Sequence, residues 1–303
     1  VSTRGDDGAG SGGPDRRAGD YRIDPLTGAP TRIVTHRQDR PNLPDGECPF
    51  CVGGSEAPDP YDVRAFPNRW PPFPDGRAEI VLYTPDHDAS FADLSTEQAR
   101  KVVDLWAARS EALGERDDIS YVLVFENRGS EVGATIAHPH GQIYAFDDVP
   151  PAALVEFAAD GMRSGFDGGA AGDRLVSRVG DWSAWVPAAA GWPYELLLAP
   201  RTPVPDLPAL DDASRDSLGG LLVDIIRRLD ALFSAPMPFM MWIHQRPFDN
   251  GSWPDARVHI HIAPLLRSAG TARFVAAGEL GSGVLFNPVE PAVAAAALRA
   301  LST

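Results

Sequence analysis

The sequence predicts an α+β protein with a mainly antiparallel sheet, helices packed on one side of it, and one pattern of elements used twice. Three observations carry this. Short apolar strands alternate with long amphipathic helical stripes. The order strand, helix, strand, loop, strand recurs about 115–120 residues further on. Each occurrence closes on a segment bearing two histidines two positions apart, His138/His140 and His259/His261.

Residues 1–20 hold Gly, Asp, Ser and Arg with little to bury, so a disordered tail is expected there. Asp24 to Gly28 reads as a turn leading to a strand around Thr31–Thr35. Glu79–Tyr83 reads as a buried strand, and Ser95 with Gln98 has the form of a capping box opening a helix. Its stripe is Ala99, Val102, Val103, Trp106 and Leu113, with Gly114 as the stop. Tyr121–Phe125 is the next strand, and a loop leads to a strand through His138–Ala145. The second occurrence uses Glu195–Leu198, a stripe of Leu218, Leu221, Leu222, Ile225, Leu229 and Leu232, Phe239–Ile243, and Val258–Ile262. The boundaries expected are 1–20, 21–170 and 171–303.

With 303 residues and 44% hydrophobic composition, the chain can bury a sizeable core. A net charge of −15 argues against a long contact with nucleic acid, although a small anionic substrate fits if local cations override the global field. No apolar run approaches bilayer length, and no basic segment followed by an apolar stretch opens the chain, so no membrane partner and a cytoplasmic setting are expected.

Only two cysteines occur, in Cys48-Pro-Phe-Cys51, at the spacing of a metal clip. His87, just past a strand, and His138 are the natural remaining ligands for a closed, structural zinc site. His140 is the candidate nucleophile. A neutral imidazole attacks phosphorus without a strong base, provided its other nitrogen is fixed as a donor. Pro139 stiffens the segment, Gly141 is expected to let a phosphate approach the backbone, and Gln142 shares a face with His140 and can donate to a phosphoryl oxygen.

His138-Pro-His-Gly-Gln142, preceded by Phe125-Glu-Asn-Arg-Gly129, resembles the active-site segment of galactose-1-phosphate uridylyltransferases, members of the histidine-triad superfamily. Tyr21–Gly28, His36–Pro41, Cys48–Cys51, Thr84–His87, His259–His261 and Pro264–Ser268 follow in the family's order. The resemblance implies a duplicated histidine-triad-like fold. It also implies uridylylation of His140, with Gln142 and His138 in the catalytic group and zinc on Cys48, Cys51, His87 and His138. A second metal, iron or zinc, is implied on Glu156, His244, His259 and His261. Arg37, Arg40, Asn68, Asn127 and Thr135 match positions around the nucleotide. Arg273, Phe274 and Glu279 match the segment that reaches the hexose phosphate, in many members from a neighbouring subunit of a homodimer. Two positions depart: Arg273 stands where the family commonly has lysine, and Gly278 where many members have tyrosine.

The expected substrates are a nucleotide sugar and a hexose 1-phosphate, exchanged by double displacement between UDP-glucose and galactose 1-phosphate. Alternatives are a related transferase or phosphorylase using another nucleotide sugar such as ADP-glucose, a phosphoramidate hydrolase, and a zinc-stabilised binding module without catalysis.

Overall fold

The computed structural model describes residues 20–40, 47–159, 162 and 169–301. The expected N-terminal tail therefore lies, save Asp20, outside the described residues.

β1 (Asp20–Ile23) and β2 (Pro30–Ile33) form a separate hairpin, and a 3-10 turn over Thr35–Asp39 replaces the end of the strand expected at Thr31–Thr35. The remaining chain builds one sheet. β3 (Arg64–Pro67) and β4 (Ala78–Leu82) lead to α1 (Thr96–Gly114), then β5 (Tyr121–Arg128), β6 (His140–Phe146) and the short α2 (Pro151–Ala158). β7 (Leu175–Val179), β8 (Trp182–Trp185) and β9 (Leu196–Pro200) precede α3 (Asp212–Leu232), β10 (Phe239–His244) and β11 (His259–Pro264). A small hairpin of β12 (Leu266–Ser268) and β13 (Thr271–Ala272), then α4 (Ala277–Ser282) and α5 (Pro291–Arg299), complete the described chain.

The nine-stranded sheet runs β3-β4-β6-β5-β10-β11-β9-β8-β7, with every neighbouring pair antiparallel. Read outward from the β5–β10 seam, β6 and β11, β4 and β9, and β3 and β8 occupy matching places. That mirror order is the duplication, joined into one sheet.

Side-chain alternation divides the sheet into two faces. Val122 and Val124 of β5, Ile143 and Ala145 of β6, Met241 and Ile243 of β10, and Ile260 and Ile262 of β11 join the stripes of α1 and α3 in one core. All five residues of the expected α1 stripe are buried. Ser95 caps α1 by accepting from the Gln98 backbone N–H, but the capping box is only half made. Gln98 donates instead to the carbonyls of Asp62 and Tyr83. The opposite face carries His140, Gln142, His244, His259 and His261, and α2 is the helix that reaches it, through Glu156.

The sequence reading missed the β7–β8 hairpin, whose two-residue Gly180-Asp181 connection is a recognisable hairpin signal. His138 also lies just before β6 rather than in it, because Pro139 has no N–H to offer the ladder.

Candidate active site and metal centres

Cys48, Cys51, His87 and His138 converge, with their ligand atoms all within 4.8 Å of one another. Cys51 Sγ lies 3.5 Å from His87 Nδ1 and 3.7 Å from His138 Nδ1. The loop after Cys51 closes tightly enough that a Cβ on Gly54 would sit 2.6 Å from the Cys48 carbonyl oxygen, so glycine is required there. His138 is fully buried, and its Nε2 donates to the Thr84 carbonyl at 2.9 Å. That bond fixes the tautomer and leaves Nδ1 as a lone pair aimed at the cluster. Two thiols and two imidazoles so arranged fit a closed tetrahedral metal site.

The second cluster joins Glu156, His244, His259 and His261, again within 4.8 Å. Glu156 Oε2 lies 2.6 Å from His244 Nδ1 and 3.1 Å from His259 Nε2, and Oε1 lies 3.3 Å from His261 Nε2. Burial alone would raise the Glu156 carboxyl, but the three histidines outweigh it and hold the group well below the usual carboxylate range. His261 stacks on Trp242 at 4.8 Å, and its Nε2 is buried without a hydrogen-bond partner. Three imidazoles and a carboxylate around such an orphaned nitrogen fit a metal as well.

His140 belongs to neither cluster. Its Nδ1 donates to the His138 carbonyl at 2.8 Å, which leaves Nε2 with the free lone pair. The ring packs edge-on against Phe50 at 5.1 Å. Burial pushes its pKa down to about 4, so the imidazole is neutral at physiological pH. The ring opens on a pocket of about 230 Å³ that also meets Arg40, Glu56, Asn68, Trp70 and Thr135.

The orientation of Gln142 follows from a chain of hydrogen bonds. The Trp70 backbone N–H donates to Asn68 Oδ1 at 2.8 Å, so Asn68 presents its Nδ2 to Gln142 Oε1 at 3.2 Å. The Gln142 amide nitrogen is therefore left as a donor, beside His140 on the same face of β6. Arg40 is half-buried and donates to Thr135 Oγ1 at 2.7 Å. Burial lowers its pKa from the ordinary arginine value. Arg37 is held twice, by the Trp70 carbonyl and the Tyr144 hydroxyl, each at 2.9 Å. Asn127 lies on this same face of β5, two residues past Phe125, which pairs with Gln142.

One expectation is corrected. The space at Gly141 is taken by protein, because a Cβ there would fall 2.2 Å from the Tyr83 hydroxyl on the core face, so the missing side chain makes no room for a phosphate. Arg273 and Glu279 pair with each other, and Arg273 lies over the Trp192 ring at 4.4 Å. Neither they nor the exposed Phe274 line the His140 pocket of their own chain. The sequence reading also missed Tyr61, whose hydroxyl donates to the Phe50 carbonyl and lies 2.9 Å from His138 Nε2. A lone aromatic after the C-x-x-C loop was its only trace.

A sequence profile for the N-terminal domain of galactose-1-phosphate uridyl transferase matches residues 71–150, and one for the C-terminal domain matches residues 166–303. The chain is 38% identical to the galactose-1-phosphate uridylyltransferase of Streptomyces lividans, over 84% of this chain and 79% of that protein. It is 32% identical to the Thermotoga maritima enzyme of the same name, over 92% and 98%. A solved uridylyltransferase structure superposes with a TM-score of 0.85 at 30% identity, covering 93% of this chain and 98% of that one. An ADP-glucose phosphorylase of Arabidopsis thaliana shares the fold, with a TM-score of 0.73 at 24% identity over 93% and 98%. This chain belongs to the galactose-1-phosphate uridylyltransferase family.

Proposed function

We propose that this protein exchanges a uridylyl group between hexose 1-phosphates through a covalent intermediate on His140. The observation that supports it most is an imidazole anchored at Nδ1 by a backbone carbonyl, with its Nε2 facing a pocket rather than a metal. The names of the relatives over most of the chain supply the substrates.

In the first step His140 Nε2 attacks the α-phosphorus of UDP-glucose, the bond to the bridging oxygen breaks, and glucose 1-phosphate leaves. A phosphate oxygen of galactose 1-phosphate then attacks the same phosphorus, returning the electron pair to Nε2 and releasing UDP-galactose. The Gln142 amide and the guanidinium of Arg40 would carry charge on the phosphoryl oxygens, with Arg37, Asn68, Asn127 and Thr135 around the nucleotide. Zinc on Cys48, Cys51, His87 and His138 would act structurally. It would hold His138, whose carbonyl orients His140. Iron or zinc on Glu156, His244, His259 and His261 would tie α2 to β10 and β11.

On this reading the halves divide near residue 170. A homodimer fits the exposed Phe274, Leu280 and Phe286, with Arg273, Phe274 and Glu279 serving the partner's hexose-phosphate site. The free thiols of Cys48 and Cys51 suit a cytoplasmic, reducing setting. Among the described residues, no helix is long and apolar enough to cross a membrane.

Parallel assays with UDP-glucose plus galactose 1-phosphate and with ADP-glucose plus inorganic phosphate test the reading. Uridylyl exchange should dominate, with product formation independent of added Mg²⁺. Preferential phosphorolysis of ADP-glucose would overturn the substrate assignment.

A further inference from the structure

Glycine inside a strand weakens it, so Gly141, set between His140 and Gln142, needs a reason. Its backbone is ordinary extended strand, and the reason is space. β6 lies between β4 and β5, and on the core face the side chains of Tyr83, just past β4, and Glu126, on β5, face each other beneath it. A Cβ on Gly141 would overlap the Tyr83 hydroxyl at 2.2 Å and press on the Phe125 carbonyl at 3.2 Å.

The Tyr83 hydroxyl and Glu126 Oε2 are both buried without a hydrogen-bond partner, and the two groups lie close enough to perturb each other's ionisation. The charged and titratable groups facing Glu126 are Tyr83, just past β4, and Arg128 on its own strand. Arg128 is already engaged by both carboxylate oxygens of Asp230, at 2.7 and 3.0 Å. β10 places Met241 opposite Glu126. A carboxylate with no dedicated cation in such a site is costly, whereas a carboxylic acid donating to a phenol is not.

We infer that Glu126, as the neutral acid, and Tyr83 form a positioning bridge under β6 that sets the height of His140 and Gln142 against the flanking strands. The inference rests on the proposed uridylyl transfer, for which it names two further residues. Burial raises the Glu126 carboxyl to about 7, with Arg128 and Tyr83 opposing the shift only in part. The folded chain therefore holds this proton more tightly than the unfolded chain. Its contribution to stability falls as pH rises from the ordinary carboxylate range through about 7, and the bridge is lost over the upper part of that window.

The test is the single-turnover rate of adduct formation on His140 from UDP-glucose, measured from about pH 6 to about pH 9. Wild type should slow on the alkaline side. E126Q, which keeps the neutral shape, should hold a rate within about threefold of wild type at low pH and lose the alkaline fall. E126A and Y83F should lower the rate by about tenfold at every pH, with the KM for UDP-glucose little changed. Thermal melts identify any variant that fails to fold, and E126Q carries the test if E126A does. Rates and pH profiles of E126Q and Y83F that match wild type would overturn the bridge. An absent adduct in wild type itself would instead refute the proposed transfer.

Discussion

The two histidine segments begin alike and end differently. His140 and His259 each donate from Nδ1 to the carbonyl two residues back, at 2.8 Å in both cases, so both present Nε2 on the same face of the sheet. At His259 that nitrogen meets Glu156, carried across by α2, while His244 and His261 close around the same carboxylate. At His140, among the described residues, no carboxylate bonds to the ring, and Glu56 only shares the pocket wall. Of this pair the cysteines of the first half gather only His138, through its Nδ1 and beside His87, and leave His140 facing a pocket. On the proposed reading, one local geometry would yield a ligand or a nucleophile according to what the rest of the chain places opposite it.

The comparison breaks most sharply at His140. H140N should lower uridylyl exchange by about a thousandfold or more while leaving the fold intact, measured as kcat beside thermal melting. H259N should leave the rate of adduct formation on His140 within about tenfold of wild type in the folded protein. Equal losses in both variants would mean that the halves are not divided in role.

Loosening the first cluster should come next. C51S should reduce turnover by roughly 10- to 100-fold, because the carbonyl that orients His140 belongs to a residue the cluster holds. In the second half, E156A should lower stability by about 2–3 kcal/mol in thermal or denaturant melts, and the adduct rate only slightly. A kinetic defect as large as that of C51S would assign the second cluster a part in the chemistry. Among the variants of the first half the smallest effect is expected from N68A, which frees the Gln142 amide to turn. A fall of about tenfold in kcat, with KM less affected, would be its signature.

How much of this was legible in the sequence depends on the range of the interaction. Helical stripes and paired histidines are local patterns, so α1, α3, the central strands and both ligand sets follow from spacing and resemblance. The seam between β5 and β10, and the placing of β8 and β9 beside β11, are contacts between distant segments that no local period announces. Gly141 shows the same limit. Its neighbours in sequence suggest a phosphate contact, but its missing side chain answers to Tyr83, 58 positions earlier on the other face. Arg37 and Arg40 read equally well as surface charges until the Trp70 carbonyl, the Tyr144 hydroxyl and Thr135 are seen to hold them. The mutual pairing of Arg273 and Glu279 inside the second half is likewise invisible to motif order.

The most direct test of a nucleophilic His140 is to mix the protein with labelled UDP-glucose without acceptor, quench in alkali, and map the modified peptide. One acid-labile uridylyl group on His140, released as UDP-galactose when galactose 1-phosphate is added, is the predicted result. Label on any other residue, or full exchange with no protein-bound label at any time, would contradict it.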